Sequence, residues 1–150
     1  MLHRQARLRS QRANGESGFT LVELVVVIVI VGILVAIAIP LYMNYSKGAN
    51  DKSADSDMRS AVDTLEQCST DYGVYPSAIV LDSSKRFYTL TGCAGQQLNV
   101  SSGTTLTYSV SGSGYVLVGS NSIGNGANQH YCYNSIKGGQ VRSVGTATTC

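Results

Sequence analysis

An unbroken apolar run constrains this chain more than any other feature. From Leu24 to Ile39 every residue is apolar or Gly, in the order LVVVIVIVGILVAIAI. Carried on to Met43, the segment is interrupted only by Pro40 and Tyr42. At a rise of ~1.5 Å per residue, roughly twenty helical residues cross the ~30 Å hydrocarbon core of a bilayer. Arg4, Arg7, Arg9 and Arg12 precede the run and only Glu16 opposes them, four positive charges against one, or +3 for residues 1–18. The rest of the chain has 7 Lys and Arg against 8 Asp and Glu, or −1. Basic residues on one flank hold that flank in the cytoplasm. Everything after about residue 45 is then expected outside the membrane. The same charge balance argues against a basic nucleic-acid-binding surface.

Three readings of this N-terminus compete. It is a plain signal anchor, a cleavable signal peptide with Ala36-Ile37-Ala38 as its small-residue site, or an anchor cut on its cytoplasmic side between Gly18 and Phe19. The apolar run is longer than the ~7–15 residues of a signal-peptide core, which weakens the second. Glu23 bears on the other two. A carboxylate just inside an apolar span is costly and by default marks function. It either sits cheaply at headgroup depth or finds a partner. A cut after Gly18 would supply one, because Phe19 would then carry a free α-amine. The amine of a neighbouring subunit, or that of the same helix, can neutralise Glu23.

The run Gly18-Phe19-Thr20-Leu21-Val22-Glu23-Leu24, followed by an apolar helix with Gly32 and Pro40, resembles a type IV prepilin. The likeness is close over residues 15–45 and holds in pattern over 45–76. It implies cleavage at Gly18–Phe19 by a membrane prepilin peptidase, N-methylation of Phe19, and extraction from the membrane into a helical filament by a pilus assembly machinery. It also implies that Gly32 and Pro40 fall where pilin helices loosen inside filaments. The residues agree, since Gly costs about 1 kcal/mol relative to Ala in a helix and Pro removes one backbone hydrogen bond.

Beyond Tyr45 the sequence turns polar. Ala54, Met58, Ala61, Leu65 and Cys68 recur at spacings of 4, 3, 4 and 3, one apolar face of an amphipathic helix. Asp51, Asp55, Asp57, Arg59, Asp63 and Glu66 fall elsewhere and read as a solvated face. Asp51, Asp55 and Asp57 lack the Gly and Glu positions of an EF-hand loop, so no metal is assigned. Gly73 and Pro76 end the helix. One curved helix from Phe19 to about Asp71 is expected. Two helices broken near Gly48 and Asn50 are the alternative.

Residues 77–150 read as a small β-sheet head. Thr105–Val110 and Tyr115–Val118 suggest a hairpin around a four-residue loop, Ser111-Gly112-Ser113-Gly114. His130–Ile136 and Gln140–Val144, joined by Lys137-Gly138-Gly139, suggest a second. Residues 77–104 look irregular apart from a strand-like Arg86–Leu90, and Ser120–Gln129 looks like a flexible loop. The antiparallel strands would bury one face under the apolar stripe of residues 54–68, an α+β arrangement that pilins also have. The expected organisation is a leader over 1–18, a transmembrane and filament-core helix over 19–45, its amphipathic continuation over 46–76, and the head over 77–150.

A head under ~90 residues gains little from core burial alone. Cys68, Cys93, Cys132 and Cys150 all lie on the exported side, and an even number there reads as two disulfides. Three pairings are open. Cys68–Cys93 with Cys132–Cys150 is favoured, the second resembling the C-terminal disulfide loop of many pilins. Zinc is disfavoured, because no C-x₂-C pair occurs and His130 is the sole exported His. No nucleophile–base set, G-x-S-x-G, P-loop or H-E-x-x-H is present, so neither catalysis nor a cofactor is implied. Tyr42 and Tyr45 stand where an aromatic belt would lie. The other tyrosines are expected in strands with the hydroxyl at the rim.

The resemblance therefore implies a structural subunit of an extracellular type IV pilus. Before assembly it would be held in the cytoplasmic membrane among lipid, and afterwards in a homo-oligomeric filament. The same N-terminal rules fit a pseudopilin of a type II secretion system. The head shows no cluster of oxygen ligands like the calcium site of many pseudopilins. A minor pilin that binds DNA or a surface ligand is a third reading, with Lys85-Arg86, Lys137 and Arg142 as its basic residues. Four cations make a small footprint, and nucleic acid is not supported by them.

Overall fold

A computed structural model describes residues 18–82 and 86–150. The leader residues before Gly18, and Lys85, lie outside the described residues. The chain divides into two compact units that meet between Leu41 and Tyr42. One helix, α1 (Leu21–Tyr72), begins in the first and continues into the second. Pro40 lies inside it, and so do Gly48 and Asn50, so the two-helix alternative does not hold. Asn50 bonds back to the Ser46 carbonyl at 3.0 Å through its side-chain amide.

In the first unit, every residue from Gly18 to Leu41 is exposed. Its helical stretch is apolar on all sides, with a mean hydropathy of 3.4 over its most apolar 18 residues. A helix with no polar face does not fold against a core of its own in water.

The second unit holds the remainder of α1 and two antiparallel sheets. The first sheet has three strands, β1 (Ile79–Asp82), β2 (Phe87–Leu90) and β3 (Gln97–Asn99), in that spatial order. The second has four, β4 (Thr104–Ser111), β5 (Gly114–Asn121), β6 (His130–Asn134) and β7 (Arg142–Gly145), also in chain order. The stripe Ala54, Met58, Ala61, Leu65 and Cys68 is buried against both sheets, in one core with Tyr88, Leu90, Leu98, Leu106, Tyr115 and Leu117. This is the α+β fold expected from the sequence.

Several details differ from the expectation. Within the stretch 77–104, read as irregular apart from 86–90, residues 79–82, 87–90 and 97–99 form the first sheet, whose strands of three or four residues are too short to show a period. The first hairpin turns more tightly than expected, because Ser111 pairs with Gly114 and only Gly112 and Ser113 form the turn. Gly112 has φ 56° at the first turn position, where a II′ hairpin requires glycine. β5 also runs on to Asn121, and Gly126–Asn128 make a 3₁₀ turn, so residues 120–129 are structured rather than a free loop.

Gly119 of β5 has a specific packing reason. A Cβ there would come within 2.7 Å of Met58 Cγ and Sδ. Its hydrogen side chain lets α1 approach the sheet at this point.

Candidate functional site

The N-terminal residues singled out by sequence lie at the start of α1. Gly18 and Phe19 precede it, and Phe19 is 82% exposed. Thr20 caps the helix. The Thr20 backbone N–H and hydroxyl donate to Glu23 Oε2 at 2.9 and 2.8 Å, and the Glu23 N–H donates to Thr20 Oγ1 at 3.2 Å. This reciprocal exchange is a capping box, which satisfies backbone donors that the first turn otherwise leaves unpaired. A carboxylate in the first turn also faces the positive end of the helix dipole. The signature was readable in the sequence as Thr20-x-x-Glu23, but the reading of Glu23 by headgroup depth or an α-amine partner missed it. Both members lie downstream of Gly18, so the box does not depend on residues 1–18. A Cβ added at Gly32 would meet nothing within 4 Å beyond the helix's own backbone.

In the second unit, the acidic residues of α1 do not form a plain solvated face. Asp51 is 6% exposed and accepts from the Asn125 backbone N–H at 2.9 Å and from the Asn125 side-chain amide. Asp57 accepts from the Ser101 N–H at 2.8 Å and the Ser101 hydroxyl at 3.0 Å. Glu66 accepts from Tyr75 at 2.8 Å and Tyr115 at 3.0 Å, one phenol on each carboxylate oxygen. Asp71 accepts from the Gln96 side chain at 2.9 Å. Four carboxylates flanking one apolar stripe thus tie the helix to four stretches of the head. Asp55 instead pairs with Arg59 at 3.1 Å along the helix.

Asn121 completes the first of these ties. It is fully buried, and its amide donates to the Ser102 carbonyl at 2.9 Å and to Ser53 Oγ at 3.2 Å. Its oxygen accepts the N–H of Ile123 at 2.9 Å. Gly124 lies so close to Asp51 that a Cβ there would collide with the carboxylate.

Tyr115 is fully buried and central to an aromatic group. Its ring lies 4.9 Å from Tyr75, 5.5 Å from Tyr108 and 5.6 Å from Tyr133. Burial, then the charge of Glu66, raises the Tyr115 phenol far above its ordinary range. Burial pushes Tyr108 up to about 12, and the bond to Glu66 raises Tyr75. The expected rim position of the hydroxyls is corrected here. Tyr88 is also buried, and its oxygen accepts the Leu106 N–H at 2.8 Å, joining β2 to β4.

Cys68 is joined to Cys93, and Cys132 to Cys150, with Cα–Cα distances of 5.8 Å in both. His130 Nδ1 lies 3.1 Å from the Gly145 carbonyl. Lys137 and Arg142 line one shallow cleft, where Lys137 Nζ donates to the Cys150 carbonyl at 3.2 Å. Arg86 stands apart from them, just before β2 of the other sheet. Among the described residues, no group of three or more His, Cys, Asp or Glu is placed to hold a metal ion.

Comparison with known proteins bears on the N-terminal segment. The family described as the prokaryotic N-terminal methylation motif matches residues 13–39. The chain is similar to type IV pilins over this N-terminal segment. It is 48% identical over 52 residues to the type IV major fimbrial protein FimA of Dichelobacter nodosus, covering 33% of each chain. It is 54% identical over 39 residues to the type IV narrow pilus major component PilA5 of Thermus thermophilus, covering 26% of this chain and 34% of that one. It is 39% identical over 62 residues to the type II secretion system core protein G of Pseudomonas aeruginosa, covering 41% and 44%. The chain spans about a third of the length of the first curated relatives it matches. No solved structure matches.

Proposed function

We propose that the chain is a structural, non-catalytic subunit of an extracellular type IV pilus. Residues 1–18 form a cytoplasmic leader removed by a prepilin peptidase after Gly18, and Phe19 is then N-methylated. Residues 19–45 hold the subunit in the cytoplasmic membrane, residues 46–76 continue the helix to its end, and residues 77–150 form the disulfide-stapled head. Assembly moves the apolar helix from lipid to the core of a homo-oligomeric filament.

One observation carries this reading. The exposed apolar helix, beneath a matched methylation motif, leaves a surface that only lipid or other apolar chains can cover in water. Glu23 supplies registry. The capping box holds its carboxylate at the helix start, where the α-amine of a neighbouring subunit's Phe19 pairs with it. A subunit added at the wrong height leaves that carboxylate unpaired in an apolar core, which disfavours it. Gly32 and Pro40 mark where the helix loosens on packing.

Electron microscopy of sheared surface material, with mass spectrometry of the N-terminal peptide, tests the proposal. Long filaments whose first residue is methylated Phe19 are expected. An intact leader would overturn the processing, and with it the assembly role. Replacing Glu23 by Ala should leave membrane insertion intact and sharply reduce filaments. Normal filament numbers in Glu23→Ala would remove the registry role. The second reading is a type II secretion pseudopilin. The 62-residue likeness to a secretion core protein favours it, because that match reaches further along the chain than the 52 residues shared with the fimbrial protein. A processed Phe19 confined to the membrane fraction, with no surface filaments, would select it.

A further inference from the structure

Asn125-Gly126 is the sole Asn-Gly pair downstream of Gly18, and Asn14-Gly15 lies outside the described residues. Asn-Gly is chemically labile, because glycine puts no side chain in the way when its nitrogen attacks the preceding side-chain carbonyl. Here both functional ends of Asn125 are held by one buried carboxylate. Its backbone N–H and its side-chain amide both donate to Asp51. Its backbone is fixed at φ −86°, ψ 0° by the turn that follows, in which the Asn128 N–H donates to the Asn125 carbonyl at 2.8 Å. At that ψ the Gly126 nitrogen is rotated away from the Asn125 Cβ–Cγ bond, and ring closure requires the peptide to turn.

We infer that Asn125-Gly126 is a self-deamidating site held in check by Asp51, and that its conversion irreversibly unlatches residues 121–129 from α1. The chemistry needs only water. The Gly126 nitrogen attacks Asn125 Cγ and loses its proton to solvent. The Cγ–Nδ2 bond breaks, ammonia leaves, and a five-membered succinimide closes. One water opens the ring at either carbonyl, leaving aspartate or isoaspartate at position 125. Both products replace a hydrogen-bond donor with a carboxylate facing Asp51. Two carboxylates at that distance cannot both stay ionised without strong mutual repulsion. Isoaspartate also lengthens the backbone inside the 3₁₀ turn. The latch therefore does not re-form, and the tie that holds the helix at Asp51, three residues beyond Gly48, is lost.

Because the chemistry is slow, its rate reports how often the latch opens. The full chain in detergent micelles is incubated in mildly alkaline buffer, and peptide mapping follows aspartate and isoaspartate at position 125. Asp51→Ala should convert roughly tenfold faster than wild type or more, since two hydrogen bonds to a charged group shift an opening equilibrium by at least that factor. Equal rates would overturn the latch. Wild-type chain unfolded in denaturant gives the unrestrained rate and covers the case in which Asp51→Ala does not fold. Folded wild type converting as fast as unfolded chain would also overturn the proposal. Asn125→Asp stands for the aspartate product, and hydrogen exchange of the Ile123, Gly124 and Asn125 amides should accelerate in it. Unchanged exchange there would show that conversion releases nothing.

Discussion

The two stretches of α1 on either side of Leu41–Tyr42 are continuous in backbone and opposite in how they are satisfied. From Leu21 to Leu41 the described polar contacts are local, confined to Thr20 and Glu23, and the apolar side chains face outward. From Asp51 to Asp71 the same helix is held at four carboxylates by the head, and its apolar stripe is buried. The first stretch is unfinished as a fold and needs other molecules to cover it. The second is complete within one chain. Perturbations of the head should therefore act on stability, and perturbations of the first turn should act on assembly or on the helix end alone.

The largest effect on stability is expected from the staple between helix and head. Opening Cys68–Cys93 with a double Ser replacement releases a closure spanning 25 residues of sequence, which should lower head stability by roughly 3 kcal/mol. Thermal unfolding of the full chain in micelles would show this as a lower midpoint for the loss of near-UV signal from the tyrosine cluster. An unchanged midpoint would mean that the four carboxylate ties alone suffice.

The next effect concerns Glu66, where one carboxylate serves two phenols. Glu66→Ala leaves the Tyr75 and Tyr115 hydroxyls without their acceptor and should cost about 2 kcal/mol, while Glu66→Gln keeps an acceptor and should cost less. An equal loss in both would mean that the carboxylate charge, and not hydrogen bonding, is what the site uses.

The same cluster fixes a pH dependence. Tyr75, Tyr108, Tyr115, Tyr131 and Tyr133 all have phenols raised in the folded state. Folding then favours the neutral form, and these groups contribute fully below the unfolded tyrosine value of ~10. Their contribution is lost as pH rises from there through the folded values, with Tyr108 at about 12. Head stability should be insensitive to these groups up to about pH 10 and fall above it. Tyrosinate absorbance followed against pH would report it. Ionisation of all nine tyrosines near pH 10 with the fold intact would contradict the burial described. Glu66→Gln should move the Tyr75 and Tyr115 titrations downward, because the charge of Glu66 opposes a second negative charge beside it.

How much of this was legible in the sequence follows from physical periods. The stripe from Ala54 to Cys68 was readable because five residues repeat at helical spacing, and Gly73 with Pro76 marked its end. The β4–β5 and β6–β7 hairpins were readable from β-branched and aromatic runs around Gly-rich turns. The first sheet was not, because strands of three or four residues carry at most two alternations. The ties from Asp51, Asp57 and Glu66 were not readable either. An acid beside an apolar stripe looks the same whether it meets water or a loop, and its partners Ser101, Tyr115 and Asn125 are 44, 49 and 74 residues away. Asn121 and Asn125 sit in a Ser, Asn and Gly stretch whose composition reads as a free loop until Asp51 is placed beside it.

The smallest effect sharpens the comparison most directly, because it separates the cap from the charge. Thr20→Ala removes the hydroxyl side of the capping box and leaves Glu23 in place. An N-cap replacement of this kind costs about 1 kcal/mol, confined to the first turn. Hydrogen exchange of the amides near the start of α1 in micelles should accelerate, while the midpoint of head unfolding stays where it is, since no head contact involves Thr20. If Glu23 works in registry through its charge, Thr20→Ala should still form filaments where Glu23→Ala does not. If both variants lose filaments equally, the fixed position of the carboxylate, and not its presence alone, is what neighbouring subunits recognise.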